Sequence, residues 1–169
     1  MSEYDFDRVI ERRGTGCEKW DMVEAIFGAK DLVPLWVADM EFASPPEVVR
    51  ALLRRVEHGV YGYTECTDGY YDALRGWMRR RHGWDVRREW VVPCPGVVPA
   101  LNTLVRAFTR PGDRIIVQQP VYHPFMLAAE NNGRRVLNNG LLFEGGRYVM
   151  DLDDLRKKVV SRRVKMLIL

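Results

Sequence analysis

Hydrophobic and polar residues are arranged along this chain in two regimes, and the change falls near residue 90. Beyond it, short apolar runs alternate with stretches of helical spacing. The pattern predicts strand 90–92, helix 97–109, strand 114–118, helix 124–132 and strand 134–138. A reversing pair follows, 141–144 and 147–149 around Gly145-Gly146. Then come helix 152–160, with Asp151 as its cap, and strand 164–169. Such alternation implies an α/β fold, a mostly parallel sheet with helices packed on its faces. The last strand carries Met166-Leu167-Ile168-Leu169, an unbroken apolar run that suits burial on both faces.

Before residue 90 the pattern is looser. Residues 1–44 show little periodicity and are broken by Gly14, Gly16, Gly28 and Pro34, which predicts an N-terminal arm with short helical and strand pieces. Ser44-Pro45-Pro46-Glu47 reads as a helix start, with Ser44 as cap and Glu47 completing a capping box. That helix shows Val48, Val49, Leu52, Leu53 and Val56 on one face and ends near His58-Gly59. A glycine-containing bend around Tyr61 and Tyr63 leads to a second helix, carrying Tyr71, Leu74, Trp77 and Met78 and closed by His82-Gly83. The expected division is an arm, 1–44, and a larger domain, 45–169.

Composition narrows the class. With 169 residues, 47% hydrophobic and 29% charged, the chain can fill a core and is too apolar for disorder. The formal charge of +3 is mostly arginine against acid. Arg79-Arg80-Arg81 and Arg87-Arg88 flank Trp77, Trp84 and Trp90 and read as a solvated helix face, so no nucleic-acid partner is expected. No apolar run is long enough for a bilayer and no signal-peptide pattern opens the chain, which makes the cytoplasm the expected location. Cys17, Cys66 and Cys94 fit no metal spacing and read as reduced thiols, Cys94 as a small buried filler; no metal is expected.

The chemistry concentrates in WVVPCPGVVPALNTLVRAFTRPGDRIIVQQPVYHPF, residues 90–125. Gly96 stands just before a helix that opens with Val97 and Val98. A glycine there lets main chain approach a ligand, and the amides of the first turn offer donors to an anion. Tyr122 lies just beyond the next strand. An anion cradle followed by a ring beside a strand end suits a flat, phosphorylated cofactor.

The motifs WVADMEF (36–42), HGVYGYT (58–64), Pro95-Gly96-Val97-Val98 and Pro120-Val121-Tyr122-His123-Pro124-Phe125, with Lys19-Trp20-Asp21, carry a resemblance. The chain resembles the fold type I pyridoxal-phosphate enzymes, and within them the MalY/PatB-type carbon–sulfur β-lyases of the class I/II aminotransferase superfamily. The likeness covers essentially all residues but only the N-terminal portion of such enzymes. It implies pyridoxal 5'-phosphate as cofactor and β-elimination of cystathionine or cysteine conjugates to pyruvate, ammonia and a thiol. Aminotransferase activity, or a non-catalytic remnant of the scaffold, are the alternatives it leaves.

Residue by residue, the resemblance implies a phosphate cup at Gly96, Val97 and Val98, with Tyr122 stacked on the cofactor ring. Tyr63 is implied to reach the phosphate of a neighbouring subunit in a homodimer, and Tyr61 to be a core residue. Ala38 and Asp39 lie in the segment implied to close over the substrate carboxylate. None of Lys19, Lys30, Lys157, Lys158 and Lys165 has the family's Schiff-base context. No catalytic residue is therefore assigned, the chain alone is expected to be inactive, and a complementary C-terminal chain is a possible partner.

Overall fold

The computed structural model describes residues 4–169. They form two compact units, the first reaching to Glu65 and the second Cys66–Leu169.

The first unit contains α1 (Glu18–Asp21), α2 (Val23–Phe27) and α3 (Pro46–His58), and no strand among its described residues. The strand pieces expected in the arm are therefore absent there. The arm is held by side chains: Trp36 Nε1 donates to Lys19 O (3.1 Å), Trp20 Nε1 donates to Glu41 Oε2 (3.1 Å), and Phe6 meets Phe42 edge-on at 5.4 Å. Helix α3 begins one residue later than a Ser44 cap requires. Pro45 is its N-cap, no side chain caps it, and the Glu47 carboxylate accepts from Tyr4 Oη at 3.0 Å instead of closing a capping box. Two prolines in a row fix φ without needing amide partners, which lets the helix start uncapped. Gly59, in the left-handed conformation (φ 72°), ends it. The apolar face of α3 is open: Val48, Val49, Leu52, Leu53 and Val56 are all exposed. So is Tyr61, expected in the core; its hydroxyl donates to Val56 O at 2.8 Å.

The second unit opens with α4 (Asp68–His82) and reaches a three-residue 3₁₀ turn at Arg88–Trp90 where a strand was expected. Trp90 N and Val91 N donate back to Arg87 O and Arg88 O, and Pro93 and Pro95 follow, leaving this β-rich run no ladder to join. Next come α5 (Val97–Phe108), β1 (Arg114–Val117), α6 (Pro124–Glu130) and β2 (Arg135–Asn138). The chain continues with β3 (Leu142–Glu144), β4 (Arg147–Val149), α7 (Leu152–Val159) and β5 (Val164–Leu167).

The sheet has the order β2-β1-β5, all parallel, with Arg114 opposite Arg135 and Ile116 opposite both Leu137 and Leu167. Ile115 and Val117 point to one face and pack with Val105 of α5 and Ala128 and Ala129 of α6; all five are essentially solvent-free. The β3–β4 hairpin turns through Gly145 and Gly146, both at positive φ, as a two-residue turn of this kind demands. Asp151 caps α7 by accepting from Asp154 N at 2.9 Å. As an edge strand, β5 departs from the expectation of burial on both faces: Ile168, which follows it, is buried, whereas Leu167 and Leu169 are exposed. No helix of the described residues is long and apolar enough to cross a membrane.

Candidate functional site

In a parallel sheet the loops at the carboxyl ends of the strands are where ligands are bound. Helix α5 runs into β1 through the turn 109–113, and Leu101 and Val105 pack on the same core cluster as Val121 and Phe125. This places the start of α5 on the side of the sheet where β1 ends and the Tyr122 loop begins.

Gly96 is the N-cap of α5, at φ 144° and ψ 166°, with no side chain capping the helix. That region of conformational space is open essentially to glycine alone. A Cβ there would meet only the Pro99 ring, its Cδ at 3.6 Å, so conformation and not crowding demands the glycine. Val97 and Val98 occupy the first two helical positions, whose amides have no intrahelical acceptor; Pro99, in the third, has no N–H. The donor set is thus main-chain N–H at the positive end of a helix dipole, suited to a phosphate and poorly suited to a cation. Val97 is largely exposed and Val98 half-buried, so Val97 is not a core residue of this helix. Cys94, expected as a buried filler, is exposed; its thiol donates to Gly96 O at 3.4 Å.

Tyr122 follows the cis Gln119–Pro120 peptide, and its ring is more than half exposed. Phe125 and His123 contact it edge-on, at 6.0 and 5.3 Å between centroids. A buried polar chain that sequence reasoning missed fixes the loop behind it. Gln118 Nε2 donates to Asn139 Oδ1 (2.7 Å), and Asn139 Nδ2 donates to Asp154 Oδ2 (2.7 Å) and Asp151 O (3.0 Å). Gln119 N donates to Asn138 Oδ1, and Leu141 N to Gln119 O, which ties the ends of β1 and β2 together. Polar residues directly after two apolar strands were the available signal. Lys158 and Asn139 hold the Asp154 carboxyl below the usual range, and Lys158 Nζ also donates to Asn138 O (2.6 Å).

In the first unit Asp39 is already engaged. Arg12 pairs with its carboxylate, donates to Met40 O (3.2 Å) and lies 3.1 Å from Glu41 Oε2. Lys19, almost wholly buried, donates from Nζ to Asp39 O (2.9 Å) and forms an ion pair with Glu41 Oε1 (2.7 Å). Lys19 first, then Arg12 and Trp20, hold the Glu41 carboxyl down to about 2, while Asp39 and Glu41 raise the Arg12 guanidinium. Two cations therefore grip the main chain and side chains of residues 39–41. Ala38 is exposed beside them, and Tyr63 projects fully into solvent. Among the described residues no three His, Cys, Asp or Glu side chains gather to hold a metal.

Comparison with known proteins places this geometry in a family. The profile of aminotransferase class I and II matches residues 30–169. The chain is 46% identical over 165 residues to cystathionine beta-lyase PatB of Bacillus subtilis, and 31% identical over 167 residues to protein MalY of Escherichia coli. Each alignment covers 98% of this chain and 43% of the relative, so the chain spans less than half the length of these proteins. The crystal structure of cystalysin from Treponema denticola, which contains a pyridoxal 5'-phosphate cofactor, superposes with a TM-score of 0.89 at 39% identity. It covers 97% of this chain and 42% of that one. By sequence and by fold, this chain belongs to the aminotransferase class I and II family.

Proposed function

We propose that this chain supplies the phosphate cup and ring-holding loop of a pyridoxal-phosphate carbon–sulfur β-lyase. Its substrate class is cystathionine or related cysteine conjugates, and its products are pyruvate, ammonia and a thiol. The observation that carries the reading is Gly96 at φ 144°, which presents the amides of Val97 and Val98 on the side of the sheet where β1 ends. Bound there, the cofactor supplies an electron sink for the pair left when an amino acid loses its Cα proton. The amides and helix dipole hold its phosphate, and the Tyr122 ring stacks on it, adding about 0.5–1.5 kcal/mol beyond buried area.

Tyr63, fully exposed, is free to reach across a homodimer interface. Because Arg12 and Lys19 already neutralise the Asp39 carboxylate, the 38–39 segment offers a substrate carboxylate its main chain. The family-level division, arm 1–44 and cofactor domain from 45, belongs to this reading, as does a cytoplasmic setting.

The lysine that holds the cofactor covalently is proposed to lie outside these residues. Lys19 and Lys158 are tied into ion pairs, Lys30 lies 3.5 Å from Glu24, and Lys165 lies in β5, beside the amino end of β1. Lys157 sits in the last turn of α7. Titration with pyridoxal phosphate, followed by its visible absorption, tests the cup and the stack. Gly96→Ala and Tyr122→Ala are expected to weaken binding, and Tyr122→Phe far less; binding indifferent to the first two rejects the site. In the protein that contains this chain, pyruvate and thiol released one-to-one from cystathionine mark a lyase. Keto acid formed only with an added acceptor marks an aminotransferase instead.

A further inference from the structure

The opposite end of the sheet carries a charge pattern that the proposed function does not use. Most arginines of this chain with defined partners sit beside carboxylates: Arg79 with Asp85, Arg87 with Glu89, Arg88 with Asp68, Arg156 with Asp153. At the amino ends of the strands, cations without a carboxylate partner gather in one place. Arg106, Arg110 and Lys165 line one open cavity of about 640 Å³ together with Phe108, Thr109 and a single acid, Asp113. None of the three cations forms an ion pair among the described residues. The Asp113 carboxylate is spent on the turn, accepting from Arg110 N at 2.7 Å.

The same end of the sheet carries further cations. Arg114 and Arg135 begin β1 and β2 in register, and Arg114 N donates to Arg163 O at 2.7 Å. Neighbouring strands stand about 4.8 Å apart, so these side chains enter solvent close together, again with no carboxylate partner among the described residues. The chain has 23 acidic residues for 26 basic ones, so the imbalance here is one of placement.

Arg106 lies in the last turn of α5, at the negative end of its dipole, and buried Arg134 takes the main chain there, donating from Nη2 to Thr109 O (2.6 Å), from Nε to Thr109 Oγ1 (2.8 Å), and from Nη1 to Asn132 O. What remains is a concave, cationic surface of small-molecule size, with the exposed ring of Phe108 in its wall.

We propose that this cavity is a second anion site, distinct from the Gly96 cup, whose ligand is a small polyphosphate. Arg106, Arg110 and Lys165 hold the phosphoryl oxygens; guanidinium forks suit such bidentate contact. A free inorganic polyphosphate and the triphosphate of a nucleotide share this chemistry, and the second would also use Phe108 as a stacking platform.

The test is calorimetric titration of the full chain with inorganic tripolyphosphate and with adenosine triphosphate. Each charge-assisted contact is worth roughly tenfold in affinity, so Arg106→Gln/Arg110→Gln should weaken both ligands about a hundredfold while melting like the parent. Arg80→Gln, on the exposed face of α4, should leave tripolyphosphate binding unchanged. Loss of affinity for the nucleotide alone on Phe108→Ala supports the site with a nucleotide as its ligand. Equal affinities indifferent to Phe108 support it as an inorganic polyphosphate site. No binding of either ligand, or an equal loss on Arg80→Gln, overturns the proposal.

Discussion

A single carboxylate, Glu41, governs how the 39–41 segment answers to acid. Its pKa is held at about 2 against an ordinary 4.5, chiefly by Lys19. A carboxyl depressed in the folded state takes up its proton first in the unfolded chain. Its stabilisation is therefore complete above about 4.5 and is lost as pH falls from there through about 2. Glu41→Gln should consequently lower the melting temperature at neutral pH, and its deficit against the parent should shrink steadily across that acid window. Melting curves that stay a constant distance apart would show that the Lys19 pairing does not set acid stability. At Gly96 backbone conformation forces the residue's identity. Gly96→Ala should cost about 1–3 kcal/mol, or shift the first turn of α5 to escape the strain, and a denaturant series reads the first. An alanine variant as stable as the parent, with cofactor binding intact, would remove the reason given for a glycine at this cap.

Among the elements, β1 bears most of the packing in the second unit. Ile115 is fully buried between α5, α6 and the neighbouring strands, so Ile115→Ala should cost about 2–5 kcal/mol. Val97→Ala, at an exposed position, should stay within about 0.5 kcal/mol. Denaturation midpoints of equal shift in the two variants would mean that α5 and β1 do not pack as described. These elements were legible because their signals are local. Asp151 three residues before Asp154, Gly145-Gly146 between two short apolar runs, and the apolar spacing of α5 each predict what formed.

Elements failed to follow the sequence where partners decide. Val91 and Val92 have strand composition, yet a strand needs a ladder and the flanking prolines deny one. In the same way nothing in the spacing of Arg12, Lys19, Asp39 and Glu41 announces an ion network, because its paired members lie 20 to 29 residues apart in an aperiodic arm. The amino-end cations, spread from Arg106 to Lys165, become neighbours only through the parallel register. The candidate site was half visible: Gly96 and Tyr122 stood out by motif, whereas the Gln118–Asn139 chain behind the Tyr122 loop did not.

At the scale of the molecule, exposed apolar surface dominates behaviour. In the first unit Val48, Leu52, Leu53 and Val56 line an amphipathic helix with no residue buried. In the second, β5 is an edge strand, with Leu167 37% and Leu169 71% exposed beside it. Contiguous apolar stripes and unpaired strand edges drive association, and a formal charge of only +3 gives weak repulsion against it. The chain should therefore self-associate in a concentration-dependent way and bind an apolar dye. Leu52→Glu/Leu53→Glu, which places two carboxylates on the α3 stripe without touching a buried residue, should shift sedimentation toward the monomer and cut dye binding. It should leave the melting of the second unit unchanged. If instead the parent sediments as a compact monomer at every concentration and binds no dye, these surfaces are not adhesive. If the parent associates and the double variant associates equally, α3 is not the contact, and Leu167→Lys becomes the variant that tests the β5 edge.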